Sequence, residues 1–201
     1  MNEYEKELFS LGLNNIAGVD EVGRGPIVGP VVAACVVLPK DFNYEGINDS
    51  KKLTEKKRNQ YYEYITNNSV YALGIVSPEE IDEINIYEAS RKAMLIAISE
   101  VRKKINIDHV LVDAMPLNID IPTTSIIKGD AKSYSIAAAS IVAKVVRDNM
   151  MYELDLKYPQ YGYKSHKGYP TKKHIEAIHE YGLIEGYRKT YRPVKEVLDG
   201  K

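Results

Sequence analysis

Four acids stand where a side chain could do chemistry rather than face solvent. Asp20 and Glu21 are adjacent, set between the short apolar run Asn15-Ile16-Ala17-Gly18-Val19 and the glycine turn Val22-Gly23-Arg24-Gly25-Pro26. Asp113 ends the apolar run His109-Val110-Leu111-Val112, and Asp130 closes Lys128-Gly129-Asp130 just ahead of a long helical pattern. Hard divalent cations such as Mg²⁺ take carboxylate and water oxygens, usually a few protein carboxylates plus substrate phosphate. Two such ions about 4 Å apart stabilise both the attacking and the leaving oxygens of phosphodiester cleavage. The four acids suit that reaction. An acid after a strand is also a common cap or turn residue, and for Asp113 or Asp130 taken singly capping is the stronger reading. For Asp20-Glu21, in an apolar and glycine-rich context, a functional site is the stronger reading.

Neighbours in a continuing strand point to opposite faces. Asp20 and Glu21 can therefore serve one site only if the chain bends there. Gly23 and Gly25 supply that freedom and let backbone N–H groups approach a ligand with no Cβ in the way. Gly23-Arg24-Gly25 is not a P-loop, because the remaining spacing and the Lys-Ser/Thr ending are missing. The histidines offer no competing metal site. His174 and His179 are five apart and do not share a helix face, His109 heads a strand and reads as structural, and His166 lies in a basic loop facing substrate or solvent. The single Cys35 sits in an apolar run and reads as a buried small hydrophobe, with no disulfide framework possible.

The elements that must hold these groups alternate between strand and helix. Ile27 to Leu38 is almost wholly apolar, as strands covered on both faces are. Thr54 is an N-cap candidate for a helix to about Ile65, and Val70–Val76 is a third strand. Ser77-Pro78 opens a short helix, and a longer one runs from about Ile86 to Lys104. His109–Asp113 and Ile121–Ile127 are further strands, and a helix from about Ser133 to Tyr158 is apolar nearly all round. Beyond Pro159 comes a basic loop studded with tyrosines, a helix from about Thr171 to Tyr181 and a short tail. In open α/β sheets, ligands sit at strand ends near points where the strand order reverses.

With 201 residues and 44% hydrophobic content, the chain is long enough for one domain, 1–201, with a core over about 14–158 and a basic helical extension over about 159–201. The formal net charge is −1, yet Lys157 to Lys195 carries nine Lys or Arg against three Glu, a surplus of +6 that leaves −7 elsewhere. A basic end beside a carboxylate-rich body suits an enzyme that grips phosphates with one part and cations with another. No apolar run approaches the ~20 residues of a membrane span and the N-terminus lacks a signal region, so a soluble cytoplasmic monomer is expected.

These motifs together resemble the type 2 ribonuclease H family, bacterial ribonuclease HII. The matching stretches are Gly18 to Pro26, Asp49-Ser50-Lys51-Lys52-Leu53, Val110 to Ala114, Lys128-Gly129-Asp130, Ser135 to Ile141 with Ala143-Lys144, and His166-Lys167-Gly168-Tyr169. They follow the family's order over residues 16 to 170. The resemblance implies an α/β, ribonuclease H-like fold: a mixed five-stranded sheet flanked by helices, with a small helical C-terminal extension. It implies an endonuclease that cuts the RNA strand of RNA–DNA hybrids and nicks duplex DNA 5′ of an embedded ribonucleotide, leaving 3′-hydroxyl and 5′-phosphate ends, with two Mg²⁺ or Mn²⁺ ions.

Carried over residue by residue, Asp20, Glu21, Asp113 and Asp130 would be the catalytic metal ligands. Gly23, Arg24 and Gly25 would read the ribose 2′-hydroxyl and adjoining phosphates, and Tyr169 would pack on the neighbouring sugar. Lys51 and Lys52 are candidate phosphate contacts or solvated loop residues, and Ser140 and Lys144 read as structural neighbours on the long helix. The sister ribonuclease HIII has an extra N-terminal substrate-binding domain, for which the nineteen residues before Asp20 leave no room, and this favours HII. A nuclease restricted to long hybrids and a non-catalytic hybrid-binding protein are the competing readings; the second would be marked by loss of one of the four acids.

Overall fold

The computed structural model describes residues 3–42, 47 and 53–200. Lys51 and Lys52, with Asp49 and Ser50 beside them, lie outside the described residues. Five strands, β1 (Ile16–Val22), β2 (Val31–Val37), β3 (Val70–Val76), β4 (His109–Asp113) and β5 (Thr123–Ile126), form one sheet in the order β3-β2-β1-β4-β5. β1 pairs antiparallel with β2 and parallel with β4, β2 is antiparallel to β3, and β4 is parallel to β5. The helices are α1 (Glu3–Ser10), α2 (Glu55–Asn68), α3 (Pro78–Arg102), α4 (Tyr134–Lys157), α5 (Tyr163–His166), α6 (Lys172–Tyr181) and α7 (Arg192–Leu198). None among the described residues is long and apolar enough to cross a membrane.

The unbroken apolar run of β2 is buried at every position because helices cover both faces of the sheet. Val31, Ala33, Cys35 and Val37 join the cluster under Ala89, Ala93, Met94 and Ala97 of α3. Val32, Ala34 and Val36 face Ala137, Ala138, Ile141 and Val142 of α4. The period of two along the strand is thus read out as two separate cores. Cys35 is buried in the first of them, and burial pushes its thiol far up.

Both helices sit close to the sheet because a side chain is missing at the contact. A β-carbon on Gly18 would stand 2.0 Å from the backbone carbon of Ser135 at the start of α4, and one on Gly74 would stand 1.8 Å from the carbonyl oxygen of Ala93 in α3. A third cluster joins Ile27 and Val28, just after the glycine turn, to Tyr161, Tyr163, Ala177, Ile178, Tyr187 and Val194 of the C-terminal part.

Several elements differ from the sequence reading. The two helices expected after Ser77 are both present within Pro78–Arg102: Asn85, at φ +67°, ends the first, and its side-chain oxygen accepts from the Tyr87 and Glu88 amides at the start of the second. The strand expected from Ile27 begins only at Val31. Gly29 has φ +80° and Pro30 has no N–H to give a ladder, so residues 27–29 pair with the C-terminal part, through Ile27 N to Gly168 O, Gly29 N to Gly186 O and Arg188 N to Ile27 O. The short tail contains α7, and the charged N-terminus is α1.

Gly74 lies away from the acids, so Gly74→Ala is expected to cost about 2 kcal/mol of stability or more, since overpacking a tight contact against backbone cannot be relieved by a rotamer change. Urea unfolding of the variant checks this, with metal-dependent activity per folded molecule unchanged.

Candidate active site

β1 and β4 run as parallel neighbours only as far as Val19 and Val112. Beyond that pair they part. Asp20 and Glu21 continue β1 against β2 alone, opposite Ala34 and Ala33, while Asp113 pairs with Ile126 of β5. β1 does not break off at Asp20-Glu21, as the sequence suggested, but runs on to Val22 in its ladder with β2; only its pairing with β4 stops, after Val19. The acids are therefore set on the two lips of a split in the sheet, at the carboxyl ends of parallel strands.

The split opens into a cleft of about 390 Å³ lined by Asp20, Glu21 and Asp113, by Val22 and the Gly23-Arg24-Gly25 turn, by Ser140 and Lys144 of α4, and by Tyr169. Asp130 is buried in the tight turn Gly129–Ala131 and does not line this cleft. It is tied to the site through its neighbour: the Gly129 amide donates to Asp113 Oδ1 at 2.6 Å. Three of the four predicted acids thus share one cavity, and the fourth stands on the turn bonded to Asp113.

Burial pushes the Asp20 carboxyl well above the usual carboxylate range, and the charges of Glu21 and Asp113 push it further; the Ser140 hydroxyl and the Glu21 amide, 2.7 Å from Asp20 Oδ1, oppose this. Glu21 is raised chiefly by burial, with Arg24 opposing from 3.4 Å and Asp113 adding to the rise. Such mutual repulsion calls for a cation. The donors are all carboxylate oxygens, which is the chemistry that Mg²⁺ and Mn²⁺ take. The acids do not close on an ion by themselves, since among the described residues no group of three His, Cys, Asp or Glu forms a ready-made cage. Water and substrate oxygens would have to complete the shell.

The turn is fixed from behind by a residue to which the sequence reading gave no role of its own. Arg188, counted there among the basic charges of the C-terminal part, is wholly buried. Its guanidinium donates to the carbonyls of Gly23 (2.6 Å), Arg24 (3.0 Å) and Gly29 (2.8 and 3.0 Å). The Tyr191 hydroxyl donates to Arg24 O at 2.7 Å and accepts from Arg188 at 3.0 Å. Arg147 of α4 donates to the carbonyls of Pro30, Val28 and Lys167, and burial beside Arg188 pushes it down to about 10. Its Nε would lie 2.3 Å from a β-carbon on Gly23, which has φ +97°, so only glycine fits there.

Ser140 and Lys144, read from sequence as structural neighbours, line the cleft. They are polar positions one turn apart in an otherwise apolar stretch of helix, which was the available signal. His166 is part-buried and lies outside the cleft lining: its Nε2 donates to Tyr161 O at 2.8 Å and its ring stacks on His174. Backbone strain gathers around the site, with Ala114, Lys128 and Lys167 all at φ between +50° and +58°.

Asp20 stays protonated to higher pH in the folded chain than in the unfolded one. The metal-free fold is therefore penalised progressively as pH rises from the ordinary carboxylate range through the folded value, and fully above it. Asp20→Asn, which keeps the acceptor and drops the charge, is expected to raise Tm in chelator at pH 8 and to change it far less at pH 4. Scanning calorimetry at the two pH values checks this; an equal effect at both would contradict the assignment.

The family model for Ribonuclease HII matches residues 17–194. The Ribonuclease HII of Bacillus mycoides is 54% identical over 199 residues, covering 98% of this chain and 77% of that protein. That of Bacillus cytotoxicus is 52% identical over 202 residues, covering 100% and 77%. The chain thus spans about three quarters of the length of these relatives. Among solved structures, the ribonuclease H2 from Pyrococcus horikoshii OT3 superposes with a TM-score of 0.79 at 28% identity, covering 92% of this chain and 98% of that one. Bst ribonuclease HIII in complex with Mn²⁺ superposes at 0.71 with 16% identity, covering 95% and 71%, a likeness of fold alone. With the match running from the first core strand into the last helix, and more than half of the aligned residues shared with the Bacillus proteins, the chain belongs to the ribonuclease HII family of phosphodiester-cleaving enzymes.

Proposed function

We propose that this chain is a single-domain, monomeric endonuclease that hydrolyses the RNA strand of RNA–DNA hybrids and nicks duplex DNA on the 5′ side of an embedded ribonucleotide, leaving 3′-hydroxyl and 5′-phosphate ends. The observation that carries this reading is the convergence of Asp20, Glu21 and Asp113 on a cleft whose other wall is a glycine turn with its carbonyls turned away. Asp20, Glu21 and Asp113 would hold two Mg²⁺ or Mn²⁺ ions together with water and substrate oxygens, with Asp130 joining them from the adjoining Gly129–Ala131 turn. Bound there, the ions supply a nucleophilic water and stabilise the charge on the phosphate. A cation bound there would favour the Asp20 carboxylate by offsetting the burial, and the repulsion from Glu21 and Asp113, that hold it protonated.

Recognition follows from the turn. In a trans peptide the carbonyl and the next residue's N–H point in opposite directions. With the Gly23 and Arg24 carbonyls bound inward by Arg188, the N–H groups of Arg24 and Gly25 face the cleft. Only the 2′-hydroxyl separates ribose from deoxyribose at a site, and it can accept from such groups. The Arg24 side chain, half exposed beside Glu21, is placed to meet a phosphate bidentately. The Tyr169 ring, 46% exposed and close over Gly25, offers a flat apolar face to the adjoining sugar. The lysines of the 157–195 region suit the duplex backbone beyond the cut.

Asp113→Asn changes charge and hardly shape, and is expected to lower cleavage by at least about a hundredfold, the upper range for loss of even an outer partner of a metal site. Its circular dichroism should match the wild type; a variant that cuts at the wild-type rate would remove Asp113 from the site. The reading as a whole is tested on an end-labelled DNA duplex with one ribonucleotide, in Mg²⁺, Mn²⁺ and chelator. A metal-dependent nick 5′ of the ribonucleotide is expected. Cutting of a long hybrid without that nick would keep the carboxylate site and discard junction recognition, and no cutting of either would leave a hybrid-binding protein.

A further inference from the structure

Tyr169 reaches the cleft from the loop ahead of α6, and a β-carbon on Gly25 would stand 3.0 Å from its Cε1. The ring is part exposed, so its place is set by the main chain behind it. The Tyr169 carbonyl accepts from Thr171 N at 2.8 Å and from Nδ1 of His174 at 2.8 Å. A carbonyl cannot donate, so Nδ1 carries the proton and Nε2 is left as an acceptor. That acceptor is filled by the Tyr187 hydroxyl at 2.8 Å, which accepts in turn from the Tyr163 hydroxyl at 2.9 Å. The main chain of Tyr187 bridges Val28, and its neighbour Gly186 accepts from Gly29 N. One imidazole therefore joins the loop that carries Tyr169 to the segment that follows the glycine turn, which are the two walls of the cleft.

His174 is built for a fixed connection. It is wholly buried, its ring lies 4.1 Å from that of His166 in a stacked pair, and Tyr163 meets it edge-on at 5.5 Å. Burial pushes it down to about 4, so it stays neutral and keeps one tautomer at neutral pH.

We propose that His174 is a positioning residue that sets the gap between the Tyr169 ring and the Gly23–Gly25 turn, and through that gap the preference for a single ribonucleotide in DNA over continuous hybrid. This rests on the reading of the turn and Tyr169 given above. In a long hybrid every register offers a 2′-hydroxyl, so a slack wall still meets productive registers. In DNA with one ribonucleotide a single register puts the hydroxyl on the turn and the deoxyribose on the ring. A misplacement of about 1 Å can cost as much as a hundredfold in rate, and it acts here on that one register.

The test is kcat/KM on a duplex with one ribonucleotide divided by kcat/KM on a long RNA–DNA hybrid, for three variants. His174→Asn places an amide N–H near Nδ1 and keeps the bond to Tyr169. His174→Gln places its amide near Nε2, where the oxygen can accept from Tyr187, and loses the bond to Tyr169, and His174→Phe loses both. The ratio is expected to fall about tenfold or more in the Phe variant and by a smaller factor in the Asn and Gln variants, each of which keeps one of the two bonds that join the walls. Hybrid cleavage in the same samples reports whether each variant is folded. An unchanged ratio in the Gln variant, or an equal loss on both substrates in the Asn and Gln variants, overturns the proposal while leaving the function standing. If the wild type does not nick the single-ribonucleotide duplex, junction recognition itself is wrong and this inference goes with it.

Discussion

Pairing between β1 and β4 stops one residue short of the first acid on each strand, and the rest of the molecule depends on that break. Backbone that leaves a ladder must find other partners or meet water. Here Asp113 takes the Gly129 amide and Asp20 takes the amide of Glu21, so carboxylates do part of the work that a continuing ladder would have done. The arrangement holds like charges in a poorly solvated place. Helices on both faces keep it so: α3 and α4 exclude water from the sheet up to the lips of the split, and Gly18 lets α4 close on β1 directly behind the acids.

The opposite wall obeys a different rule. Arg188 and Arg147 are both buried, and among the described residues their guanidinium hydrogen bonds go to carbonyls and one tyrosine hydroxyl rather than to acids. Burying a charge is costly unless it is fully hydrogen-bonded, and the forked geometry of arginine satisfies several carbonyls at once. The result is a turn whose shape is dictated from within and whose amide edge is presented outward. A positive centre behind one wall and a negative one at the other polarise the space between them.

Much of this was legible in the sequence because it depends on local patterning. The apolar runs marked β3 and β4 to the residue, the apolar band marked α4 within a residue or so, and the acids stood out because Asp20-Glu21 and Asp113 end apolar runs and Asp130 stands just ahead of the α4 band. The turn at Gly23–Gly25 was visible from its glycines. What was not legible depends on partners far apart in the chain. Nothing local marks Arg188 as buried, since its own segment is basic and polar; only the carbonyls of a turn more than a hundred residues earlier explain it. His174 looked like an ordinary helical histidine until Tyr169 and Tyr187 were seen on its two nitrogens. The reach of the strand beginning at Ile27 was overread because apolar residues there serve the C-terminal cluster instead of the sheet.

Arg188 lies 159 and 165 positions beyond two of the carbonyls it holds, Gly29 and Gly23. During vectorial synthesis the sheet strands and α4 leave the ribosome well before it does. A nascent chain can therefore assemble its acids while the turn opposite them still lacks its grip. Arg188 and Tyr191 close the turn from behind only after the strands that carry the acids have been made, so a chain cut short before them would carry the carboxylates without the inner grip on the turn.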